Sequence, residues 1–374
     1  MIPYGRHQLD ALDIEAVVQT LRSDWLTTGP AVERFETAVR QYTGASQAVA
    51  VINGTAALHL MLAGAGIGPG HEVVIPTITF AATANAVFYC GGTPVIADVD
   101  PETLLLTPAT LAPRLTPRTR AVVAVDYAGQ PCDYTALAAL CEPRGIMLFA
   151  DACHALGGAD AQGRRVGTLA RATCFSFHPV KHVTTGEGGM VVTDDPDLAA
   201  AMRRLRNHGM DFDHAARNER QAWQYDVTEL GWNYRLSDIA CALGTSQMAK
   251  LEGFLARRSH LASRYDDMFR KLTGVRPLMT NPGLRHARHL YVVRIAGGRR
   301  DEVFKRMREA GIGVNVHYWP VHLHSLFRQR LGTREGHCPN AENAAHEILS
   351  LPLYPGLDQT DQDIILNILD QSLL

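Results

Sequence analysis

Residues 146–151, Ile-Met-Leu-Phe-Ala-Asp, form an apolar run that ends in a carboxylate, as expected for a buried strand that leads into a functional site. Similar apolar runs precede and follow it, and segments of helical period separate many of them. The other runs are residues 48–52, 72–75, 93–97, 121–125, 173–177 and 189–193. Such alternation is typical of a mostly parallel, doubly wound sheet. We therefore expect an α/β domain that binds its ligand at the carboxyl ends of the strands.

The pattern changes after Leu236, where long helices are predicted over residues 237–273. A strand at 290–295, a helix at 301–310, a strand at 313–318 and two further helices are predicted to follow. This mixture of elements indicates a smaller α+β domain. We predict a large α/β domain at residues 1–245, and a linking helix with a small C-terminal α+β domain at residues 246–374.

The composition narrows the class of protein. A chain of 374 residues with 46% hydrophobic residues can bury a large core, and a net charge of −2 gives no overall attraction to nucleic acid or to an anionic membrane. The longest apolar stretch, residues 73–90, is interrupted by Pro76 and polar residues, so no transmembrane helix is predicted. The N-terminus has no signal-peptide pattern, and the seven cysteines include no C-x-x-C pair. We expect a cytoplasmic protein with reduced thiols.

Two nucleotide-binding motifs are missing from the sequence. No G-x-x-x-x-G-K-[ST] occurs, and the glycines at 64, 66, 68 and 70 lack G-x-G-x-x-G spacing. A nicotinamide dehydrogenase or a kinase of the common folds is therefore disfavoured. Gly54 and Thr55 stand between a buried strand and a helix, where backbone N–H groups can bind a phosphate. An ordinary helix N-cap fits these two residues equally well.

The distribution of lysine points to one position. The chain has only four lysines, at 181, 250, 271 and 305, and Lys181 alone lies in a loop of small, hydroxylated and apolar residues. Burial there would lower the pKa of its amine and favour a nucleophile. Asp151 ends the strand of residues 146–150, although it could simply cap the next turn. Pyridoxal 5′-phosphate (PLP) requires such a pair: a lysine that binds it covalently, and a carboxylate that keeps its pyridine nitrogen protonated.

A histidine-rich stretch contains His317, His322 and His324. The spacing does not match a zinc signature, and the sequence nearby offers no carboxylate to complete a set of ligands. We therefore expect no metal site. Polar surface or contact with the substrate is the favoured interpretation of these histidines.

Five blocks of sequence together resemble the DegT/StrS family of nucleotide-sugar aminotransferases. They are residues 53–58 (Asn-Gly-Thr-Ala-Ala-Leu), 79–85 (Thr-Phe-Ala-Ala-Thr-Ala-Asn), 126–129 (Asp-Tyr-Ala-Gly), 176–181 (Ser-Phe-His-Pro-Val-Lys) and 231–235 (Gly-Trp-Asn-Tyr-Arg). The similarity runs from Tyr4 to residues 351–355. It implies the aspartate-aminotransferase fold (fold type I of PLP enzymes), PLP as cofactor, and a homodimer with shared active sites. Cys153 and His182 depart from the family's usual residues.

The resemblance also implies a role for individual residues. The catalytic residues would be Lys181, which binds the cofactor, Asp151, which contacts its pyridine nitrogen, and His154 beside it. The cofactor-binding residues would be Gly54, Thr55, Phe80, Asp151, Ser176, Lys181 and, from the neighbouring subunit, Asn233. The substrate-binding residues would be Tyr4, Trp25, Leu26, Thr27, Thr28, His178, His317, Tyr318 and Trp319.

The segments expected around the sugar are most similar to family members of the pseudaminic acid pathway. They imply transfer of an amino group from L-glutamate to C4 of a 4-keto-6-deoxy UDP-N-acetylhexosamine. Another 4-keto sugar, linked to GDP, dTDP or UDP, is the alternative substrate. A dehydratase of the family would carry histidine in place of Lys181. A non-catalytic regulator on the same fold would have lost site residues such as Asp151, Ser176 and Asn233, which are all present.

Overall fold

The computed structural model describes residues 1–211, 223–270 and 272–373. A large sheet is formed by β1 (Gln47–Val51), β2 (Glu72–Pro76), β3 (Thr93–Ala97), β4 (Thr119–Val125), β5 (Met147–Asp151), β6 (Ala172–Ser176) and β7 (Gly189–Thr193). Its strands lie in the order β1-β7-β6-β5-β4-β2-β3. β7 is antiparallel to β1 and β6, and the other pairs are parallel. The predicted mostly parallel sheet is confirmed.

Helices alternate with these strands along the chain. They are α1 (Ala11–Leu21), α2 (Pro30–Thr43), α3 (Gly54–Gly64), α4 (Ala81–Tyr89), α5 (Pro108–Leu111), α6 (Tyr134–Cys141) and α7 (Pro196–Arg206). α1 begins at a capping box in which Asp10 and Asp13 each accept a backbone N–H of the other. α2 has Pro30 at its first turn and ends at Gly44, whose φ of 86° favours glycine.

The C-terminal part of the chain combines helices with a small sheet. Its helices are α8 (Asp238–Met248), α9 (Leu251–Phe269), α10 (Arg300–Glu309), α11 (Ser325–Leu331), α12 (Pro339–Ala345) and α13 (Gln359–Leu373). Its strands are β8 (Val275–Pro277), β9 (Tyr291–Ile295) and β10 (Ile348–Leu351), and they form an antiparallel sheet in the order β10-β9-β8. None of the helices in the described ranges is long and apolar enough to cross a lipid bilayer.

The predicted strand at residues 313–318 is wrong. The structure assigns no strand to these residues, and Asn315 forms an isolated bridge with Ser350 of β10. The partner of β9 on that side is β10, in which Ile348 lies opposite Arg294. β10 buries all of its residues. The 313–318 segment instead carries polar and aromatic side chains to the edge of a cleft.

The small sheet packs against the large one through alternate residues of β9. Val292 belongs to the apolar cluster that surrounds the large sheet, whereas Val293 and Ile295 belong to a second cluster with α9, α10 and α13. Successive residues of a strand point to opposite faces, so β9 has apolar contacts on both faces. The domain boundary predicted between residues 245 and 246 falls within α8 and stays a prediction.

Candidate active site

The carboxyl ends of neighbouring parallel strands meet at one edge of the large sheet. The register places Val125 of β4 beside Asp151 of β5, and Asp151 beside Cys174 of β6. These strand ends border a cleft of about 590 Å³, which we call the lysine cleft. Of the predicted site residues it brings together Tyr4, Gly54, Thr55, Phe80, Asp151, His154, Ser176, His178, Lys181, His317 and Tyr318.

Asp151 is held by a short chain of hydroxyl groups. Thr83 Oγ1 donates to Asp151 Oδ2 at 2.7 Å, and Thr79 Oγ1 lies 2.7 Å from Thr83 Oγ1. The backbone N–H of Cys153 reaches Asp151 Oδ1 at 3.3 Å. The side chain is only 6% exposed, so these bonds offset part of the cost of burying it. Its orientation is thus fixed before any ligand binds.

Lys181 differs from the other described lysines. Lys250 forms ion pairs with Asp10 at 2.9 Å and Asp13 at 2.5 Å, and the Lys305 side chain is 76% exposed. The Lys181 amine has no hydrogen-bond or ion-pair partner within the described part of the chain. Burial lowers its pKa, although nearby Cys153 and Asp151 act in the opposite direction. Lys271 lies outside the described residues.

The N-terminus of α3 forms one end of the lysine cleft. Asn53 caps the helix by accepting the backbone N–H of Ala56 at 2.8 Å. The backbone N–H groups of Gly54 and Thr55 lie in the first turn, where helices bind anions. A Cβ at residue 54 would stand 3.0 Å from Ser176 Cβ and 3.4 Å from Cys153 Sγ. Glycine therefore lets the start of α3 lie close to Ser176 at the end of β6, so that polar groups of both elements line the same part of the cleft.

Aromatic and imidazole rings flank the middle of the lysine cleft. The Phe80 and Tyr318 rings are 6.1 Å apart, and Tyr318 Oη lies 3.1 Å from His154 Nε2. Burial lowers the pKa of His154 and of His289 well below the usual histidine value, and Lys181 lowers both further. Both imidazoles are therefore neutral near pH 7. The His154 and His289 rings are 4.5 Å apart, and no pattern in the sequence predicted His289.

The mouth of the lysine cleft carries the predicted sugar-site residues Tyr4 and His317, whose ring centres are 5.5 Å apart. His317 Nδ1 lies 2.9 Å from Ser350 Oγ, and the His317 carbonyl accepts a hydrogen bond from the Tyr127 hydroxyl. Burial lowers the pKa of His317 to about 4. Because these contacts come from distant parts of the chain, the orientation of His317 could not be predicted.

Six predicted site residues lie away from the lysine cleft: Trp25, Leu26, Thr27, Thr28, Asn233 and Trp319. Thr27 and Thr28 line a separate cleft of about 550 Å³ with Arg203, Arg206 and Arg235, which we call the arginine cleft. Asn233 is exposed and forms a bridge with Asn207, another residue of that cleft. The structure of one chain therefore does not bring these residues to Lys181.

The interpretation of His322 as polar surface or substrate contact is wrong. Its side chain is completely buried, and His322 Nε2 lies 2.8 Å from a carboxylate oxygen of Glu342. No pattern in the sequence indicated this carboxylate, because twenty residues separate the two positions. In the ranges that the structure describes, no group of His, Cys, Asp and Glu side chains is arranged to hold a metal ion.

A buried lysine and a carboxylate at neighbouring strand ends, with an anion pocket at a helix N-terminus, define a PLP-dependent enzyme with the aspartate-aminotransferase fold. Comparison with known proteins makes the assignment specific. The chain belongs to the DegT/DnrJ/EryC1/StrS aminotransferase family, whose model matches residues 7–370.

Individual relatives cover almost the whole chain. The spore coat polysaccharide biosynthesis protein SpsC of Bacillus subtilis (strain 168) is 40% identical over 374 residues, which are 98% of this chain and 95% of SpsC. Helicobacter pylori PseC, an aminotransferase involved in the biosynthesis of pseudoaminic acid, has a TM-score of 0.93 at 30% identity, covering 100% of this chain and 99% of PseC. The PLP form of Spr1654 from Streptococcus pneumoniae also has a TM-score of 0.93 at 30% identity, covering 100% and 98%. The protein is a PLP-dependent sugar aminotransferase.

Proposed function

We propose that the protein transfers an amino group from L-glutamate to C4 of UDP-2-acetamido-2,6-dideoxy-β-L-arabino-hex-4-ulose. The product would be UDP-4-amino-4,6-dideoxy-N-acetyl-β-L-altrosamine, an intermediate of pseudaminic acid biosynthesis. The observation that carries this proposal is that Lys181, Asp151 and the predicted sugar-site residues Tyr4 and His317 line one cleft. Similarity to PseC along the whole chain supports the choice of sugar.

The residues of the lysine cleft fit PLP at both of its polar ends. When bound, PLP supplies an electron sink for the exchange of an amino group between two substrates. Asp151, already oriented by Thr83, would accept a hydrogen bond from the pyridine N–H. The N–H groups of Gly54 and Thr55, with the Ser176 hydroxyl, would donate to the phosphate. Phe80 and His154 would contact the ring between these two ends.

Lys181 would do two things in succession. It would hold PLP covalently before the amino donor arrives. Its freed amine would then take the proton from Cα of L-glutamate and, in the second half of the reaction, deliver a proton to C4 of the sugar. The lowered pKa suits this role, because a larger fraction of the amine is neutral and able to accept a proton.

The mouth of the lysine cleft would select the sugar nucleotide. Tyr4 and Tyr318 offer aromatic faces that can cover a sugar ring or a uracil, and His178 and His317 add polar nitrogen atoms. Polar groups of this kind favour a substrate whose hydroxyls satisfy them, because an analogue without those hydroxyls leaves them unpaired. This is the physical basis for strong preference among 4-keto sugars.

The residues that lie away from the lysine cleft would act in a homodimer. Asn233 would reach the phosphate of the neighbouring subunit, and Trp25, Leu26, Thr27 and Thr28 would complete the sugar site there. Exposed apolar side chains support an interface at this surface: Leu26 is 48% exposed and Leu230, close to Asn233 in sequence, is 84% exposed. A cytoplasmic location likewise stays a prediction.

One comparison supports an alternative sugar substrate. SpsC has the higher identity of the two named sugar-pathway relatives, and its name assigns it to spore coat polysaccharide biosynthesis. The alternative is therefore a different 4-keto nucleotide sugar, linked to dTDP, GDP or UDP, that enters a surface polysaccharide.

A side-by-side comparison of kcat/KM distinguishes these substrates. The purified holoenzyme is assayed with L-glutamate and with 4-keto sugars linked to UDP, GDP and dTDP, including the D-xylo epimer of the proposed substrate. We expect the proposed UDP-sugar to be preferred by at least about a hundredfold. Preference for a GDP- or dTDP-sugar, or for the D-xylo epimer, would contradict the proposal. Tyr4→Phe, which keeps the ring but removes the hydroxyl, should raise KM for the sugar more than KM for L-glutamate.

A further inference from the structure

Three polar side chains outside the lining of the lysine cleft are linked to one another by hydrogen bonds. Thr77 Oγ1 lies 2.7 Å from His322 Nδ1, and His322 Nε2 lies 2.8 Å from Glu342 Oε1. Thr77 and His322 are both fully buried. Because a carboxylate only accepts hydrogen bonds, His322 donates from Nε2 and accepts from the Thr77 hydroxyl at Nδ1. One neutral tautomer of His322 therefore makes both of these hydrogen bonds.

Glu342 is itself fixed by the backbone around it. The N–H of Gly336 donates to Glu342 Oε2 at 2.8 Å, and the N–H of Cys338 donates to Glu342 Oε1 at 3.1 Å. The nearby Arg114 lowers the pKa of His322 further after burial has lowered it, whereas Glu342 and Asp98 act in the opposite direction. His322 therefore connects Thr77 to a rigid anchor on the far side.

This chain of bonds joins the segments that form two walls of the lysine cleft. Thr77 precedes Phe80 by three residues, and His322 follows Tyr318 by four. A backbone bond from the Val321 N–H to the Thr77 carbonyl at 2.9 Å runs beside it. The rings of Phe80 and Tyr318 both line the cleft, with their centres 6.1 Å apart and their planes tilted by 49°. Neither Thr77 nor His322 lines the cleft, so they act on it through the lining residues beside them, which are Thr79 and Phe80 after Thr77 and Tyr318 before His322.

We propose that Thr77, His322 and Glu342 are positioning residues that fix the spacing of the Phe80 and Tyr318 walls. The inference rests on the proposed contact of Phe80 with PLP, but not on the identity of the sugar. Loss of the Thr77 hydroxyl leaves His322 Nδ1 buried without a donor. The backbone bond from Val321 to Thr77 remains, but the spacing of the two segments is then less firmly fixed. The cofactor should respond to this change even in the absence of substrate.

The test compares two threonines that donate to the same histidine. Thr77→Val removes the bond to the His322 ring, whereas Thr333→Val removes the bond from Thr333 Oγ1 to the His322 carbonyl at 2.7 Å. Thr77→Ser restores the hydroxyl. Each variant is stripped of cofactor and titrated with PLP alone, and the dissociation constant, the visible circular dichroism of bound PLP and the Tm are measured.

We expect Thr77→Val to weaken PLP binding about tenfold and to change the visible circular dichroism band. Thr77→Ser should behave as the wild-type protein. Thr333→Val should lower Tm as much as Thr77→Val does, with PLP affinity within about twofold of wild type. Equal PLP affinity in the two valine variants, whether both unchanged or both weakened, would overturn the proposal. A failure of the sugar assignment would leave these PLP measurements unaffected.

Discussion

The lysine cleft and the arginine cleft are built in different ways. The lysine cleft gathers residues from Tyr4 to Tyr318, because parallel strands end together at one edge of the sheet. The arginine cleft holds Thr27 and Thr28, which were predicted to touch the sugar, and two of its arginines already have hydrogen-bond partners within the chain. Arg206 contacts Glu36 at 2.8 Å, and Arg235 contacts Asn207 at 2.6 Å.

The contrast shows which parts of the active site a single chain forms by itself. Strand register places Asp151 beside the strand that leads to Lys181, so these two residues meet in every copy of the chain. Asn233 and Thr28 do not line the lysine cleft in the described part of the chain. In the proposed homodimer, one chain would supply Lys181 and Asp151, and Asn233 and Thr28 would serve the site of the neighbouring subunit. The predictions below test each half of this contrast.

Replacement of Lys181 should have the largest effect. Lys181→Ala should lower the transamination rate at least about a thousandfold, because it removes both the attachment of PLP and the base that moves the proton. Lys305→Ala, at an exposed lysine, is the control and should retain normal activity. Borohydride treatment of the wild-type holoenzyme followed by peptide mass spectrometry should place the cofactor on Lys181. A label on Lys250, Lys271 or Lys305 would disprove the assignment.

Replacement of Asp151 should have the next largest effect on the lysine cleft. Asp151→Asn keeps the shape and the capacity to accept from Thr83, but removes the charge that keeps the pyridine nitrogen protonated. We expect kcat to fall about a hundredfold or more. Asp301→Asn, at a carboxylate that is 88% exposed, serves as the control. Near-normal turnover in Asp151→Asn would assign this role to a different residue.

Subunit mixing tests the role of the other surface. Lys181→Ala chains and Asn233→Ala chains, each weakly active alone, are unfolded or dissociated together and reassembled. One site in each mixed dimer should contain both intact residues, so random mixing should restore about one quarter of wild-type activity. Mixed dimers that form, as shown by differently tagged chains, but recover no activity would place Asn233 outside the shared site.

The smallest expected effect concerns acid stability near Lys181. Burial lowers the pKa of His182 to about 3, whereas the unfolded chain titrates near 6.5. As the pH falls below about 6.5, the imidazole of His182 therefore binds a proton in the unfolded state but not in the folded state, and the free energy of unfolding decreases. His182→Asn should remove about 1.3 kcal/mol of the loss in the free energy of unfolding between about pH 7 and pH 5.5. Urea unfolding at the two pH values measures the free energy of unfolding of the wild-type protein and of the variant. If the difference between the two pH values is the same in both proteins, the low native pKa of His182 is contradicted.

The sequence predicted those parts of the site that depend on local pattern. Asp151 and Lys181 stand out because a carboxylate ends an apolar strand and because lysine is rare in this chain. Thr83, His289 and Glu342 could not be predicted, because their partners lie far away in sequence and are chosen by packing. The strand expected at residues 313–318 failed for a related reason. A strand needs a run of backbone pairs with a neighbour, and residues 313–318 form a single bridge to β10, between Asn315 and Ser350.

The loop that carries Lys181 begins and ends at two paired residues. Ser176 lies opposite Gly189, so residues 177–188 leave the sheet and return to it at the same point. A Cβ at residue 189 would stand 2.4 Å from the Asn53 carbonyl oxygen, which keeps that end of the loop in place. The interior of the loop is held as well, because Phe177 and Val183 are buried in an apolar cluster with Phe35, and His182 Nε2 lies 2.8 Å from the Ala287 carbonyl oxygen. In terms of local unfolding, the catalytic amine is on a loop that can open only by disrupting the core around it, so we expect its backbone to exchange hydrogen as slowly as the strands that flank it.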